Sequence, residues 1–381
     1  EKNMKAAVIG GGFIGNAHVE ALRRLGDVEV VALCDAYNSR EKADRLNIRF
    51  AYSDFRKMME ELELDVVHIC TPNHTHYEIA RHAIKKGIHV VCEKPFTSTA
   101  EEAEELVRLA KEKGVHGTVN FHNRFYPAAI QMRHMVSEGE IGRVISVHGT
   151  YIQDWLLYET DYSWRVEERL GGKIRAVADI GSHWLDLAQF VTGQDIKKVC
   201  AVFNTIYPVR KKGTAIGESF AKAGQGELEE VEVTTEDEAA ILVELENGAI
   251  GSVFISQVFA GKKNTTELLV AGTCASLDWN SEQLGELGIG HRDGPNEVLT
   301  KDPSLMCENA AAAIGFPGGH VEGFPDAIKQ GFRQFYDSLS KEGDFQYATF
   351  QDGLEEIRLC DAILKSAQTK QWVEVEPPDH A

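Results

Sequence analysis

The residues with the clearest chemical potential form a glycine-rich run near the start of the chain. Gly10-Gly11-Gly12-Phe13-Ile14-Gly15 fits the pattern G-x-G-x-x-G, after an apolar run and before a segment with helical spacing. Gly10 would allow a tight turn, Gly12 would let the backbone approach a pyrophosphate, and Gly15 would let helix and strand pack closely. The helix N-terminus would offer free N–H groups to the phosphates. The run predicts a dinucleotide site; the alternative is a turn that only reverses the chain.

An acidic residue follows at the distance that such a site needs. Asp35 stands twenty positions after Gly15, at the end of the apolar run Val28–Cys34. A carboxylate there accepts hydrogen bonds from the adenosine ribose and repels a 2′-phosphate, which favours NAD over NADP. Arg40 points the other way, because a nearby arginine can accommodate a 2′-phosphate. No basic residue directly follows Asp35, so we expect NAD.

A lysine follows another strand-like run. Glu93-Lys94-Pro95 comes directly after His89–Cys92. Ligands of open α/β sheets bind outside the carboxyl ends of the strands, so Lys94 would lie where a nicotinamide ring and a substrate meet. Apolar walls around the ammonium would suit it to proton chemistry. The alternative is a surface lysine on a loop.

Asp179 and His183 stand four residues apart and share one face if their segment is helical. An aspartate that holds a histidine in one tautomer is a common general-base arrangement. The alternatives are a capped helix start with a satisfied histidine, or a metal pair, which the lack of further clustered ligands disfavours. His76, in the run His74-x-His76, fits a cofactor-lining role better than a metal site.

Alternating elements in the first third of the chain would position these residues. Short apolar runs predict strands at Lys5–Gly10, Val28–Cys34, Asp65–Thr71, His89–Cys92 and Val115–Phe121. Helical spacing covers Phe13–Leu25, Thr75–Lys86 and Ser98–Lys113, the last with Ser98 as cap and Glu101 completing a capping box. Apolar strands separated by helices indicate a parallel sheet covered on both faces. We therefore predict an α/β Rossmann domain over residues 1–123.

The pattern changes after Pro127 to runs of strands followed by helices. Predicted elements are the helices Pro127–Ser137, Gly181–Thr192, Phe324–Ser340 and Gln351–Ala367, and the strands Arg143–Asp154, Lys198–Tyr207, Ala239–Glu246, Ala249–Phe259, Thr266–Ala271 and Ser276–Trp279. Asn247-Gly248 is a strong hairpin signal. Val209–Glu230, rich in Gly, Lys and Glu, is predicted to be an exposed loop. Residues 124–381 are thus predicted to form an α+β domain with a large, mostly antiparallel, open sheet.

Composition narrows the class of protein. The 381 residues include 40 Lys and Arg against 59 Asp and Glu, a net charge of −19, which argues against nucleic-acid or anionic-membrane binding. The seven cysteines are odd in number and lack C-x-x-C spacing, which indicates reduced, buried thiols. No apolar run approaches the ~18 residues of a membrane span. We expect a soluble cytoplasmic protein with no metal site.

Together these segments resemble a known family. The runs VIGGGFIG at 8–15, CTPNHTHYEIA at 70–80, CEKP at 92–95 and DIGSHWLD at 179–186 are similar to those of the glucose–fructose oxidoreductase / inositol dehydrogenase (Gfo/Idh/MocA) family. The resemblance extends from about Lys5 to near Val375. It implies oxidation of a secondary ring hydroxyl, with Lys94, Asp179 and His183 as the catalytic set. It also implies a homodimer or homotetramer formed through the C-terminal sheet.

The resemblance is closest to the inositol and pyranose dehydrogenases, including those acting on levoglucosan. It implies a coenzyme site formed by Gly10, Gly12, Phe13, Ile14, Gly15, Asp35, Thr71, Pro72, Asn73, His76, Glu93 and Lys94, with Trp164 and Arg165 beside the nicotinamide. The implied substrate site comprises Lys94, Tyr126, Gln153, Trp155, Asp179 and His183. Aromatic faces and amides suit a polyol, although each residue could equally serve local packing. Gly319–Gly323 is a polar loop that either completes the pocket or leads into a helix.

The expected reaction removes a hydride from a ring carbon and a proton from its hydroxyl. His183 would be the general base, oriented by Asp179, and Lys94 would stabilise the alkoxide charge; the choice of base between His183 and Lys94 is left open. Two alternatives are a glycosidase that oxidises its sugar transiently with bound NAD, and a dinucleotide-binding regulator without chemistry. The sequence does not choose the sugar.

Overall fold

The computed structural model describes residues 3–213 and 228–377, and these form two compact units. The first unit runs to His122 and takes in Phe324–Ile357, whereas the second comprises Asn123–Gly323 and continues from Arg358. The chain first passes from one unit to the other between His122 and Asn123, one residue before the predicted boundary at 123/124. The predicted domains were continuous in sequence, but Phe324–Ile357 returns to the first unit.

The first unit contains a six-stranded parallel sheet with the strand order β3-β2-β1-β4-β5-β6. Its strands are β1 (Met4–Ile9), β2 (Val28–Cys34), β3 (Phe50–Tyr52), β4 (Val66–Ile69), β5 (His89–Cys92) and β6 (Gly117–Val119). The helices between them are α1 (Phe13–Leu25), α2 (Ser39–Arg45), α3 (Phe55–Glu61), α4 (His76–Lys85) and α5 (Ala100–Lys113). The predicted Rossmann fold is confirmed.

Both faces of this sheet are buried, as the unbroken apolar strands predicted. Successive residues of β1 enter different cores: Ala7 and Ile9 pack in one cluster and Ala6 and Val8 in the other. The capping box of α5 lies one residue later than predicted, because Thr99 accepts the Glu102 N–H while the Glu102 carboxylate accepts the Ser98 N–H.

Buried aromatic residues explain why a distant segment joins the first unit. Helix α10 (Phe324–Ser338) contributes Ile328, Phe332, Phe335 and Tyr336 to the same apolar cluster as Val8. Burial of a side chain of this size contributes about 1.5–3 kcal/mol. This segment therefore completes the core on one face of the Rossmann sheet.

The second unit is organised around a nine-stranded sheet with the order β16-β15-β14-β13-β7-β12-β11-β8-β17. Its strands are β7 (Val144–Ile152), β8 (Ile196–Asn204), β11 (Glu238–Leu245), β12 (Ile250–Ser256), β13 (Thr265–Gly272), β14 (Ser276–Asn280), β15 (Glu286–Gly290), β16 (Glu297–Thr300) and β17 (Val373–Glu374). The helices described over this part of the chain are α6 (Pro127–Ser137), α7 (Glu168–Gly171), α8 (Ser182–Thr192) and α9 (Glu308–Ala312). A further helix, α11 (Phe350–Thr369), begins in the first unit and belongs to the second from Arg358 onward. Only β7 and β12 pair in parallel, so the predicted mostly antiparallel sheet is confirmed.

The sheet buries one face and exposes the other. Inward residues such as Val147 and Leu268 are fully buried on the side where α8 packs against β7 and β13. Outward residues form cross-strand rows in which Val202 pairs with Ala240 and Ala240 with Phe254. Val202 is 68% exposed although it is apolar. The predicted open face is thus present.

The loop predicted at Val209–Glu230 is wrong at both ends. Strands β9 (Val209–Gly213) and β10 (Leu228–Glu232) pair into an antiparallel ribbon, and the intervening residues 214–227 lie outside the described part. Periodicity did not predict this ribbon, because its two strands consist largely of charged residues. One of these charged residues, Arg210, is fully buried.

Two further expectations concern membranes and cysteines. Within 3–213 and 228–377, no helix has both the length and the apolarity needed to cross a membrane. Cys34, Cys70, Cys92 and Cys360 are buried as predicted, whereas Cys274 is exposed.

Candidate active site

The glycine run of the first unit has the geometry of a pyrophosphate seat. Gly10, just after β1, has a φ of +101°, in the region that favours glycine. A Cβ on Gly15 would lie 1.9 Å from the Gly10 carbonyl oxygen, so close packing of strand and helix excludes any side chain there. Above Gly12, by contrast, no described atom beyond its two chain neighbours lies within 4 Å of a Cβ position. Open space at the N-terminus of α1 fits the diphosphate of NAD.

Asp35 lies at the end of β2, next to this turn. Its Oδ2 accepts the Gly11 N–H at 2.8 Å, and its Oδ1 accepts the Tyr37 N–H at 2.9 Å. Burial raises the pKa of the Asp35 carboxyl, but Lys42 and the two backbone N–H groups outweigh burial and lower it overall. The carboxylate therefore stays ionised, as ribose recognition requires.

The cation beside Asp35 is one that the sequence reasoning missed. The Lys42 ammonium donates to Asp35 Oδ2 at 2.8 Å. Arg40, the residue considered from sequence, instead donates to the Ile48 carbonyl at 3.0 Å and pairs with Asp44. The one signal for Lys42 was its place on the helix after β2.

Gly11, at the first variable position of the motif, lies against the ion pair of Lys42 and Asp35. A Cβ on Gly11 would lie 2.9 Å from Lys42 Cδ and 3.2 Å from Asp35 Oδ2. Both distances are shorter than ordinary carbon contacts. A side chain at residue 11 would thus displace the ion pair.

His76 connects the turns that follow β4 and β5. Its Nδ1 lies 2.7 Å from the Pro95 carbonyl oxygen and its Nε2 lies 2.8 Å from that of Thr71. Burial lowers the pKa of His76, and backbone contacts counter this only in part, so the neutral ring donates to one of the two carbonyls. His76 holds the Thr71-Pro72-Asn73 turn; its predicted direct role at the coenzyme stays a prediction.

Lys94 follows a buried glutamate at the end of β5, and its bond to Pro95 is cis. The Glu93 carboxylate accepts from His18 Nε2 at 2.6 Å and from the Asn120 amide at 2.7 Å. Burial raises the pKa of Glu93, but His18 and Asn120 outweigh it and bring the pKa to about 2. A permanent carboxylate therefore stands directly before Lys94.

A chain of buried rings supports Glu93. His18 Nδ1 lies 2.9 Å from His68 Nδ1, and His68 Nε2 lies 2.9 Å from the Tyr336 hydroxyl. Two facing Nδ1 atoms can share only one proton, so one ring donates and the other accepts. Burial and the nearby His18 lower the pKa of His68 well below its usual value. The chain links the turn carrying Lys94 to α10.

In the second unit, Asp179 lies in an unusual helical turn. Val177–Gly181 forms one π-helical turn and continues directly into α8, which begins at Ser182. Such turns often occur at functional sites. Glu236, itself buried, accepts the backbone N–H groups of Arg175 and Val177 and so caps the helical segment. The predicted shared helix for Asp179 and His183 is present, with a local widening that spacing did not reveal.

Two donors approach the Asp179 carboxylate. Gln257 donates to Oδ2 at 2.8 Å, and Arg165 Nε lies 3.5 Å from Oδ1. The Arg165 guanidinium also lies over the Trp164 ring, 4.6 Å from its centroid. Three predicted site residues, Trp164, Arg165 and Asp179, are therefore neighbours.

A second polar chain lies beside His183. The His183 ring, 5% exposed, has its centroid 6.4 Å from that of Tyr151. The Tyr151 hydroxyl and the Gln153 amide both donate to Asn264 Oδ1 at 2.8 Å, and Trp155 Nε1 donates to Gln153 Oε1 at 2.9 Å. Burial and then the charge of Asp179 raise the pKa of Tyr151 to about 12. Tyr151 and Asn264, missed from sequence, connect the predicted residues.

The other predicted substrate-pocket residues show structural contacts. Tyr126 packs against Trp279 with ring centroids 5.5 Å apart. In the loop Gly319–Gly323, the buried Glu322 carboxylate accepts from Lys301 at 2.5 Å and from the Gly315 N–H at 2.9 Å. Glu322 thus holds its own loop.

Comparisons with known proteins find relatives of one oxidoreductase family along nearly the whole chain. The model of an oxidoreductase family with an NAD-binding Rossmann fold (GFO_IDH_MocA) matches residues 4–121, and the GFO/IDH/MocA C-terminal domain matches residues 129–278. Levoglucosan dehydrogenase of Pseudarthrobacter phenanthrenivorans is 30% identical, with 98% of each chain covered. Myo-inositol 2-dehydrogenase of Thermotoga maritima is 26% identical over 98% of this chain and 99% of the relative. A solved levoglucosan dehydrogenase, in complex with NADH and levoglucosan, superimposes with a TM-score of 0.87 at 27% identity, covering 98% of this chain and 100% of that one.

Proposed function

This chain belongs to the Gfo/Idh/MocA family of NAD-binding oxidoreductases, and on that premise we propose that it oxidises a secondary ring hydroxyl of a cyclic polyol or pyranose to a ketone. Inositols, glucosides and levoglucosan-like anhydro-sugars are the substrate class. The observation that carries the proposal is the cluster around Asp179 and His183: Gln257 donates to Asp179, and Tyr151, whose ring lies beside that of His183, belongs to a hydrogen-bonded group of aromatic and amide side chains. Groups of this kind bind sugar hydroxyls and ring faces.

NAD, when bound, supplies the acceptor for the hydride that leaves the ring carbon. His183 takes the proton of the hydroxyl on that carbon, and Asp179 keeps the imidazole in the accepting tautomer. The role proposed for the Lys94 ammonium is to stabilise the negative charge that develops in the reaction. The Glu93 carboxylate, whose pKa its contacts with His18 and Asn120 bring to about 2, directly precedes Lys94 and places a fixed negative charge close to that side chain.

A substrate panel tests the proposal. The purified protein is incubated with inositols, aldoses, glucosides and anhydro-sugars, with NAD or NADP, and NADH or NADPH formation is followed at the nicotinamide absorbance. We expect turnover with NAD on at least one ring polyol. Cleavage of a glycoside without net NADH would support a redox glycosidase, and tight NAD binding with no reaction would support a regulator; either result would overturn the dehydrogenase proposal.

We also propose that the chain self-associates through the open face of the nine-stranded sheet. Leu242 on β11 is 49% exposed and lies between Cys200 and Ser252 on neighbouring strands, so the face offers apolar surface to a second copy. Leu242→Arg should reduce the mass measured by light scattering. Leu305→Arg, at an apolar residue 59% exposed elsewhere, is the control and should leave the mass unchanged. An unchanged mass for Leu242→Arg would contradict the proposal.

A further inference from the structure

We infer that Gln257 and Arg175 are positioning residues for Asp179, with Gln257 transmitting the hold of a buried guanidinium to the carboxylate. The inference rests on the proposed function, which gives Asp179 its role. Gln257 is fully buried at the end of β12 and donates through Nε2 to Asp179 Oδ2 at 2.8 Å. Its Oε1 accepts from Arg175 Nη1 at 2.9 Å.

The chemistry of the two neighbours fixes the orientation of the Gln257 amide. Arginine can only donate and an ionised carboxylate can only accept, so the amide oxygen must face Arg175 and the amide nitrogen must face Asp179. Turning the amide over would break both hydrogen bonds at once. The Asp179 carboxylate therefore meets a donor whose direction is set from the far side.

Arg175 is itself held at several points. Its side chain donates to the Asp237 carboxylate and, at 3.2 Å, to Thr235 Oγ1. Asp237 is shared with a second buried guanidinium, that of Arg210, at 2.8 Å. Burial raises the pKa of Asp237, but the charges of the two arginines outweigh it and lower the pKa overall. Two guanidiniums and one carboxylate thus make a charged anchor in which each buried charge has a partner.

The backbone closes the arrangement into a ring. The Asp179 N–H donates to the Arg175 carbonyl at 2.8 Å, one turn earlier in the same helical segment. Asp179 is therefore tied to Arg175 twice, through its main chain directly and through its carboxylate by way of Gln257. Such double attachment restricts both the place and the rotation of the carboxylate, which a residue orienting a general base requires.

Other groups also face the Asp179 carboxylate. Arg165 lies 3.5 Å from Oδ1 and favours the ionised form, and the charge of Asp179 is felt at the Tyr151 hydroxyl. Arg165 is 30% exposed at its side chain and comes from a different segment. Water and salt screen the attraction between Arg165 and Asp179 more readily than that between the buried Gln257 amide and Asp179. Gln257 is thus the contact that sets geometry rather than charge alone.

Gln257→Glu tests the inference because it changes one amide nitrogen into oxygen. The new carboxylate keeps its bond with Arg175 but places a second acceptor against Asp179, and two adjacent carboxylates cannot both ionise readily. Arg175 stabilises the charge on residue 257, so the proton should remain on Asp179. We expect kcat to fall about tenfold or more, with the KM for NAD within about twofold, because the Asp179 carboxylate loses the donor that fixes its rotation, and one hydrogen bond is worth about a tenfold change.

A direct titration separates this inference from the proposed function. Carbon-13 NMR of labelled aspartates, with Asp179→Asn for assignment, should show the Asp179 carboxyl titrating at least about one unit higher in Gln257→Glu than in the parent. This readout needs no substrate, so it decides the inference even if no sugar is oxidised. An unchanged titration would overturn the inference. Full activity of Asp179→Asn would instead overturn the role proposed for Asp179.

Matched variants exclude a general folding effect. Gln131 on α6 is also buried and uses its amide oxygen to accept the Cys307 N–H at 2.8 Å. Gln131→Glu makes the same substitution away from Asp179 and should leave the Asp179 titration and kcat unchanged. Gln257→Met, which has similar volume and no charge, serves if Gln257→Glu does not fold; it should lower kcat without changing the KM for NAD. Parent-like kcat in Gln257→Met would overturn the inference.

Discussion

Each unit supports a residue of the proposed site, and the two supports differ in their chemistry. In the first unit, Glu93 beside Lys94 is held by His18, which contacts a second buried imidazole. In the second, Asp179 is held by an amide that contacts a buried guanidinium. Imidazoles gain and lose protons near neutral pH, whereas guanidiniums stay charged. The first support therefore consists of titratable rings, with the pKa of His68 lowered well below its usual value by burial and by His18, whereas the charge of the second support is fixed.

The largest expected effects concern the reacting groups themselves. His183→Asn and Lys94→Ala should each lower kcat about 100-fold or more, because each removes a group proposed to move or stabilise charge at the hydroxyl. Lys94→Arg refines this: some activity should survive if Lys94 only stabilises charge, and none if it relays the proton. NAD affinity, measured by fluorescence, is the control and should persist. Near-parent turnover in both His183→Asn and Lys94→Ala would remove the proposed mechanism.

Removing the permanent charge in the second unit should be the next largest effect. Arg175→Met removes one of the guanidiniums that pair with Asp237 and also removes the Arg175 donor to the buried Gln257 oxygen. We expect the free energy of unfolding in urea to fall by about 3–5 kcal/mol. The control Arg169→Met, at a side chain 78% exposed, should change it by less than about 0.5 kcal/mol. Equal stabilities for the two variants would mean that the buried anchor is not structural.

Acidification should lower the free energy of unfolding through a buried histidine of the first unit, His122. Burial lowers the pKa of His122 from 6.5 to about 4, so below pH 6.5 the unfolded chain binds a proton that the folded protein refuses until about pH 4. Stability is therefore complete above pH 6.5 and is lost as the pH falls to 4, by about 3 kcal/mol for this residue.

Thermal unfolding between pH 7 and 4 measures this loss. His122→Phe should flatten the dependence, since Phe324 already packs edge-on against this ring with centroids 4.9 Å apart. His320→Asn, at an exposed histidine, should not. An equal slope in the parent and His122→Phe would show that His122 is not the sensitive group. Glu93, with its pKa lowered to about 2, should add a further loss only below about pH 4.5.

The smallest expected effect is on coenzyme choice. Asp35→Ala should raise the KM for NAD about tenfold and relax the rejection of NADP, because the ribose loses an acceptor and the 2′-phosphate loses a repulsive charge. Initial rates with both coenzymes measure this. Lys42→Ala should leave NADP rejected, and Arg40→Ala should change neither coenzyme. Unaltered preference in Asp35→Ala would contradict the reading of Asp35.

Residue type and spacing predicted the features of the fold that depend on residues close together in sequence. The strand, glycine turn and helix at Gly10, the helix Pro127–Ser137 and the hairpin at Gly248, with its φ of +86°, each follow from residue type and spacing. The short strand Phe50–Tyr52 was missed because three half-buried residues show no period.

Contacts between distant residues account for most of what the sequence did not reveal. Gln257 and Asp179 are 78 positions apart, and Tyr151 and Asn264 are 113 apart. A buried glutamine reads in sequence as an ordinary polar residue, and the buried Arg175 as a surface charge. The π-helical turn at Asp179 has no residue-type signature. Pairing across a folded core, rather than propensity, decides such features.

The absence of a side chain at Gly11 determines how much of the Asp35 charge is compensated. Its missing side chain leaves just enough room for Lys42 to lie across Asp35. Alanine at residue 11 would displace the Lys42 ammonium from the Asp35 carboxylate and would leave Gly10, Gly12 and Gly15 unchanged. The Asp35 carboxylate would then keep its negative charge without the neighbouring ammonium, so a methyl group at residue 11 should leave the discrimination against a 2′-phosphate intact or make it stronger.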